Sequence, residues 1–140
     1  MRTAPSAGAL YPITIFVLDR EGVHEYQPQS HSLRSARVGD LRAKLKAVGL
    51  DQPSVGGAPV YFVLTIDASR IDSKYGAKAE RYGLLEAGHV AQNVLLQATG
   101  LGLVGVPIAT FDEHRVTKLL NLPPNFRPVY LIPLGYASDN

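Results

Sequence analysis

The strongest hydrophobic pattern in this chain lies between residues 80 and 111. Apolar and small residues recur there at three- and four-residue steps, which is the spacing of one helix face. They are Leu84, Leu85, Gly88, Ala91, Val94, Leu95, Ala98 and Leu101. The pattern predicts one long core helix that ends at Gly100 and Gly102, because glycine reaches left-handed backbone angles at low cost. A buried strand is predicted directly after it, over residues 103–109.

Shorter patterns predict the remaining elements. Strands are expected over residues 13–18, 23–26, 32–37, 60–66 and 128–135, helices over residues 7–11, 41–48 and 113–120, and a loop over residues 52–58. Ser6, Asp40 and Asp112 precede the three helices and are predicted to cap them, because their side-chain oxygens can accept free backbone N–H groups. Strands and helices do not alternate regularly. We therefore predict an α+β fold with a mostly antiparallel sheet covered by helices in three layers, as a single domain over residues 1–140.

Composition narrows the class of protein. The chain has 140 residues, a net charge of +2 and no run of Lys and Arg, so a nucleic-acid partner is not indicated. It contains no cysteine, which excludes disulfides and thiolate chemistry. No signal peptide is evident, and polar residues interrupt the apolar run of the long helix, so no membrane association is predicted. We expect a cytoplasmic protein.

Two motifs around the long helix match the sequence signatures of known binding sites but lack the surrounding elements that those sites need. Residues 100–105 read G-x-G-x-x-G, but a dinucleotide fingerprint follows a strand and opens a helix, and here the helix comes first. Glu86 and His89 match the i, i+3 ligand pair of di-iron bundles, but no second pair is present, so no metal is predicted. His89 is interpreted as a histidine satisfied at a helix–helix contact. Glu86 and His89, together with Asn93 and Gln97, are predicted to form a polar edge of the helix.

Glycine- and proline-rich backbone lies beside apolar strands twice, at residues 5–12 and 100–111. Small residues let backbone N–H groups approach a planar or anionic ligand closely, which suits a cofactor that carries its own chemistry. The same composition equally suits tight turns and core packing. The residues alone leave both interpretations open.

The order of blocks along the chain resembles the SagB-type dehydrogenase branch of the nitroreductase superfamily. The blocks are PSAGALYP at residues 5–12, KYG at 74–76, RYGLLEAGHVAQNVLLQATGLGL at 81–103, VPIATFD at 106–112 and YLIPLG at 130–135. The resemblance covers nearly the whole chain. It implies a nitroreductase-like α+β fold, a homodimer and FMN bound at the dimer interface. It also implies oxidation of azolines to azoles in modified peptides, or reduction of nitro groups and quinones with NAD(P)H.

The resemblance also implies site residues. The first block resembles the segment that contacts the flavin from the partner subunit, and VPIATF resembles the backbone that lies against the isoalloxazine ring. The implied flavin contacts are Pro5, Ser6, Ala7, Gly8, Ala9, Pro107, Ile108, Ala109 and Thr110. Lys74 and Tyr75 resemble a Lys–Tyr pair that takes part in proton transfer. Two departures stand out: many relatives have asparagine at the position of Ala9 and Glu–Gly at the positions of Ala109 and Thr110.

A further departure concerns the flavin phosphate. The resembling proteins hold the phosphate with arginines on a segment before the first block, and this sequence begins at that block, with Arg2 as the nearest candidate cation. We therefore expect a naturally short form or a fragment that binds FMN weakly. The sequence predicts a SagB-type, FMN-dependent oxidoreductase. The alternatives are an NAD(P)H-dependent nitro or quinone reductase, and a non-catalytic protein that uses a degenerate flavin fold to bind a partner.

Overall fold

One six-stranded antiparallel sheet organises the molecule, and its strands lie in the order β3-β2-β1-β4-β6-β5. The structure is a computed structural model that describes residues 2–49, 53 and 56–137. The strands are β1 (Ile13–Leu18), β2 (Gly22–Gln27), β3 (Ser32–Val38), β4 (Val60–Asp67), β5 (Val104–Gly105) and β6 (Phe126–Gly135). The helices are α1 (Arg42–Val48), α2 (Asp72–Tyr75), α3 (Ala79–Gly100) and α4 (Glu113–Leu120), and 3-10 turns cover Ala7–Ala9, Ala68–Arg70 and Gly76–Lys78.

Strand β4 is the centre of the sheet because it is apolar along nearly its whole length. It pairs with β1 on one side, where Val63 lies opposite Phe16, and with β6 on the other, where Val63 lies opposite Leu131. A strand with neighbours on both sides and helices over both faces has no solvent-facing side, so it does not alternate apolar and polar residues. The hairpin β2–β3 lies at the edge of the sheet, and every residue of β3 is exposed.

Two hydrophobic clusters lie on opposite faces of the sheet. Successive side chains of a strand point to opposite faces, so Val63 packs in the cluster under α1 and α4 whereas Leu64 packs in the cluster under α3. Leu45 of α1 and Val116 of α4 complete the first cluster, and Ala91 of α3 belongs to the second. This arrangement confirms the prediction of a three-layer α+β fold with an antiparallel sheet.

Helix α3 packs on the sheet mainly through small residues, with Val94 and Leu95 partly buried beside them, whereas three of the leucines that the pattern indicated do not pack there. Gly83 lies so close to the sheet that a Cβ atom there would be 3.0 Å from Cδ1 of Ile66. The prediction that Leu84, Leu85 and Leu101 face the core is wrong, because these side chains are 44%, 53% and 61% exposed. Small side chains bring the helix backbone close to the sheet, so these three leucines are left on the outer surface.

The buried strand predicted over residues 103–109 is also wrong in extent and burial. Only Val104–Gly105 pairs with β6, Val104 is 52% exposed, and Ile108 forms an isolated bridge with Leu131. Pro107 lies between the two pairings and has no N–H to donate, which interrupts a strand.

The two predicted caps on regular helices are present, with a one-residue shift in α1. The Asp112 carboxylate accepts the backbone N–H of Arg115 at 3.0 Å, as expected for the N-cap of α4. The Asp40 carboxylate accepts the N–H of Arg42 at 3.0 Å, although Leu41 occupies the N-cap position itself. Hydrogen bonds from the side chain and backbone of Arg42 lower the pKa of Asp40 to about 2.

Part of the predicted loop at residues 52–58 lies outside the described residues. Within the described part of the chain, no helix is long and apolar enough to cross a membrane.

Candidate functional site

The segment at residues 6–11 forms a tight turn with an unusual backbone. Gly8, Ala9 and Tyr11 have φ angles of 59°, 55° and 50°, in the left-handed region that residues with a Cβ atom rarely adopt. The predicted helix over residues 7–11 is reduced to the 3-10 turn Ala7–Ala9, and Ser6 makes no side-chain cap bond to it. The Ser6 hydroxyl instead accepts the N–H of Tyr11 at 2.8 Å and closes the turn.

Lys74 and Tyr75 meet this turn although about 65 residues separate them in the sequence. A Cβ atom on Gly8 would lie 2.7 Å from Nζ of Lys74 and 2.8 Å from the phenol oxygen of Tyr75. The two side chains also contact each other, with Nζ 5.6 Å from the Tyr75 ring centroid. Tyr82 of α3 supports the Tyr75 ring edge to face, at 4.9 Å between centroids. The structure therefore brings together two of the three segments that the sequence singled out.

The third segment, residues 107–110, lies elsewhere in the same chain. Ile108 is buried in the cluster under α1 and α4, and it exchanges backbone hydrogen bonds of 2.8 and 2.9 Å with Leu131. Its neighbours Pro107, Ala109 and Thr110 are exposed. The turn Ala7–Ala9 packs against α3, on the opposite face of the sheet. In one protomer the Ile108 side chain and the turn Ala7–Ala9 therefore lie on different faces of the sheet.

A cleft with a volume of about 1130 Å³ borders the N-terminal segment. Its wall combines apolar residues of the sheet and α3, such as Ile15, Phe62 and Val90, with two cations, Arg2 and Arg70. Arg2, the candidate cation for the phosphate, lines this cleft, but none of the predicted ring contacts and neither of the predicted proton-transfer residues does. Apart from the buried Ile108, these residues lie at or near the surface around Gly8 and around Pro107, and a site completed by a second chain need not form a cavity in one protomer.

The two arginines at the cleft are held by Tyr11. The Arg2 guanidinium lies over the Tyr11 ring at 4.3 Å from the centroid, which is the geometry of a cation–π contact. Arg70 donates to the Tyr11 carbonyl at 3.1 Å and pairs with Asp67 at 3.0 Å. Arg2, the candidate phosphate ligand, is therefore positioned beside the turn of residues 6–11.

Glu86 is a residue of this region whose position the sequence analysis missed. The pattern placed it on a polar edge of the long helix, yet it is only 3% exposed. Its position three residues after Gly83, on the buried face of α3, is the signal that could have revealed it. Burial raises the pKa of Glu86, while the Ser6 hydroxyl and the charges of Arg2 and His89 act against that rise.

His89, by contrast, is exposed, so its assignment to a helix–helix contact is wrong. Among the described residues, no group of three or more acidic or histidine side chains could hold a metal ion.

Comparison with known proteins identifies the family. The model of the nitroreductase family matches residues 1–136. The chain belongs to the nitroreductase family. The MJ1384 protein of Methanocaldococcus jannaschii, provisionally named a nitroreductase, is 35% identical over 140 residues, which are 96% of this chain and 70% of that protein.

Solved structures confirm the nitroreductase-like fold. A chain of the Escherichia coli microcin synthetase McbBCD complex, bound to truncated pro-MccB17, superposes with a TM-score of 0.90 at 26% identity and covers 99% of this chain. The NADPH:FMN oxidoreductase of Vibrio harveyi, complexed with NAD+, superposes with a TM-score of 0.74 at 25% identity over 99% of this chain. This chain spans only 57% and 56% of those two chains. Relatives named as a nitroreductase and as an NADPH:FMN oxidoreductase show that the family is one of oxidoreductases.

Proposed function

We propose that this protein is an FMN-dependent oxidoreductase of the SagB type. The contact of Lys74 and Tyr75 with the turn at Gly8 supports this proposal most directly. Two segments that the family resemblance assigned independently, one to flavin binding and one to proton transfer, are adjacent. When bound, the flavin would supply the chemistry by accepting or delivering a hydride.

The residues present fit a flavin in type and exposure. Gly8, Ala9, Pro107, Ala109 and Thr110 are small or compact and exposed, so their backbone is accessible to a flat ring. Arg2 offers a cation for the phosphate beside the turn. Residues 5–9 and 107–110 would contact one flavin from different subunits, which accounts for their separation in one protomer and requires a homodimer. The exposed leucines of α3 supply apolar surface for that dimer.

In this proposal Lys74 and Tyr75 act as proton donors or acceptors in the reaction. The ammonium and phenol groups both carry exchangeable protons at one point of the surface, where a substrate next to the flavin would gain or lose one. Tyr82 and the Gly8 turn restrict where the Tyr75 ring can lie. Positioned acid–base groups of this kind accelerate reactions by roughly two to four powers of ten.

Two substrate classes follow from the relatives. The likeness to a chain of a microcin synthetase complex bound to a pro-peptide favours azoline dehydrogenation in a modified peptide. The likeness to an NADPH:FMN oxidoreductase bound to NAD+ favours the alternative, reduction of quinones or nitro compounds by NAD(P)H. A non-catalytic flavin-fold binding protein is the third alternative, and it predicts that the protein ignores added FMN.

A visible absorption spectrum of the purified protein, with and without added FMN, tests the proposal. A flavin spectrum that changes on binding supports an enzyme, and a protein that leaves added FMN unchanged refutes the cofactor. In flavin-loaded protein, oxidation of NAD(P)H with a quinone acceptor is then compared with oxidation of an azoline-containing peptide. The faster reaction decides between the two substrate classes.

Variants then test the proton-transfer roles. We expect Lys74→Ala and Tyr75→Phe to lower turnover by roughly a hundredfold or more with little change in stability. Lys78→Ala is the matched control, because Lys78 is an exposed lysine in the following turn. If all three variants turn over as fast as the unaltered protein, Lys74 and Tyr75 have no catalytic role.

A further inference from the structure

Tyr11 is a strained residue whose two backbone groups are both held by side chains. Its φ of 50° lies in the left-handed region, which a residue with a Cβ atom keeps only where its surroundings hold it there. The Ser6 hydroxyl accepts the Tyr11 N–H at 2.8 Å. Nη1 of Arg70 donates to the Tyr11 carbonyl oxygen at 3.1 Å. These two bonds can hold Tyr11, the last residue of the turn, in its left-handed conformation.

Arg70 is itself held by a buried carboxylate. Asp67 is 5% exposed, and its Oδ2 atom pairs with Nε of Arg70 at 3.0 Å. Its Oδ1 atom accepts the backbone N–H and the hydroxyl of Ser69 at 3.1 and 2.6 Å and the side-chain amide of Asn125 at 2.6 Å, so the carboxylate cannot turn freely. A guanidinium group is planar and its donors have fixed directions, so a carboxylate held against Nε restricts where Nη1 can lie.

The segment that carries Arg70 also carries Lys74 and Tyr75. Arg70 ends a 3-10 turn, and α2 begins two residues later. The backbone N–H groups of Lys74 and Tyr75 donate to the Ile71 carbonyl at 3.2 and 3.1 Å, and Ile71 is 1% exposed. Arg70 and the Lys74–Tyr75 pair therefore lie on one short segment that a buried side chain anchors. Gly8 has no side chain with which to hold its own place beside that pair.

We propose that Arg70 is a positioning residue for the Lys74–Tyr75 pair. Its guanidinium fixes the carbonyl group of Tyr11, and the fixed turn of residues 6–11 keeps Gly8 in contact with the pair. The consequence for turnover rests on the proposed function, but the positioning of the turn does not. Within the described part of the chain, the polar contacts of Arg70 are with the buried carboxylate and with Tyr11, so it acts on the pair through the turn.

NMR of the flavin-free protein tests the positioning directly. A Cβ atom on Gly8 would lie 2.8 Å from the Tyr75 phenol oxygen and 3.3 Å from Cε of Lys74, so the Gly8 α protons should give nuclear Overhauser cross-peaks to both side chains. We expect Arg70→Ala to weaken these cross-peaks several-fold. It should also speed hydrogen exchange of the Tyr11 amide about tenfold, the factor that corresponds to the loss of one net hydrogen bond.

A second variant tests the carboxylate that holds Arg70. Asp67→Asn keeps the Oδ1 acceptor for Ser69 and Asn125 but places an amide NH2 opposite Nε of Arg70, where one donor would face another. We expect it to weaken the same cross-peaks while the Ser69 amide stays protected from exchange. Combined with Arg70→Ala it should weaken them no further than Arg70→Ala alone, because both changes remove the same link.

Two comparisons separate positioning from general destabilisation. Leu64 is fully buried in the central strand, so its amide reports global unfolding, and its exchange should stay unchanged in Arg70→Ala. Arg20→Ala removes an exposed arginine from the turn after β1 and is the matched control, which should change none of these signals. The proposal is overturned if Arg70→Ala leaves the Gly8 cross-peaks at full intensity, or if it accelerates exchange at Tyr11 and Leu64 equally.

Turnover of the flavin-loaded protein measures the consequence for the reaction. We expect Arg70→Ala to lower turnover about tenfold, since misplaced catalytic groups slow a reaction. In a Tyr75→Phe background the same change should lower turnover less, because one of the groups that it positions is already gone. Failure to bind FMN would refute the proposed function and leave the NMR signals of the flavin-free protein as they are.

Discussion

Replacing Gly8 by alanine probes the contact on which the proposed site depends. The left-handed φ of 59° costs an L-residue roughly 1–2 kcal/mol, so the folding equilibrium constant should fall by roughly 5- to 30-fold. The new methyl group would also lie 2.7 Å from Nζ of Lys74 and 2.8 Å from the Tyr75 hydroxyl. Both atoms end flexible side chains, so they can withdraw. The collision should therefore affect their position more than the free energy of unfolding.

The size of the displacement sets the expected loss of turnover. Nζ of Lys74 must withdraw by about 0.7 Å to reach an ordinary contact distance of 3.4 Å. A misplacement of about 1 Å in a catalytic group can lower a rate roughly a hundredfold. We expect Gly8→Ala to lower turnover of the flavin-loaded protein by roughly 10- to 100-fold, measured with the faster substrate.

Gly102→Ala is the matched control for this variant. Gly102 has a φ of 73°, and a Cβ atom there would meet nothing within 4 Å. It carries a similar backbone cost without a collision, so urea denaturation should give both variants a similar loss of stability. If Gly8→Ala and Gly102→Ala lose stability equally and both keep full turnover, the contact of Gly8 with Lys74 and Tyr75 has no part in the reaction.

Four further outcomes are expected. Light scattering should report twice the chain mass for the unaltered protein. Leu85→Glu should be a monomer, because a charge on the exposed face of α3 opposes burial of that face in a dimer. A monomeric unaltered protein would contradict the shared site. FMN and riboflavin should bind with similar affinity in flavin-fluorescence titrations, because the Arg2 guanidinium is already engaged with the Tyr11 ring; a strong preference for FMN that Arg2→Ala abolishes would show instead that this residue holds the phosphate. Glu86→Gln should be more stable than the unaltered protein at pH 7–8, because burial raises the pKa of Glu86 and penalises its charged form. The difference in stability should disappear below the ordinary pKa of 4.5, and a difference independent of pH would contradict this explanation. Asp112→Ala should lower the free energy of unfolding by about 1 kcal/mol through loss of the α4 cap, whereas an unchanged urea midpoint would show the cap to be dispensable.

Several elements follow from local sequence because their signals are local. Strand β1 was predicted within its observed bounds, and β4 differs by one residue, because β-branched and aromatic residues run continuously between turn signals. Asp112 caps α4 as expected, since a cap needs only the residue and the N–H groups that follow it. The long helix α3 was recognised from its period, which is a property of the chain alone.

The burial of α3 was decided by tertiary packing. Leu84, Leu85 and Ala87 all fit a helical period, and hydrophobicity favours burying the leucines. The sheet accepts only small residues at close approach, so Ala87 is 1% exposed while Leu84 and Leu85 remain at the surface. Glu86 is also buried on this helix although it is neither small nor apolar, so no hydrophobic pattern could reveal its burial.

The candidate site shows the same division. The sequence named the residues of the turn at Gly8 and the Lys74–Tyr75 pair, because these short blocks are recognisable wherever they lie. It could not show that the fold brings these blocks into contact across about 65 residues of sequence, or that Ile108 lies on the other face of the sheet. Residue type and local spacing are set by the chain, whereas the face on which a segment lies depends on strand order and on the packing of α3, which only the folded molecule fixes.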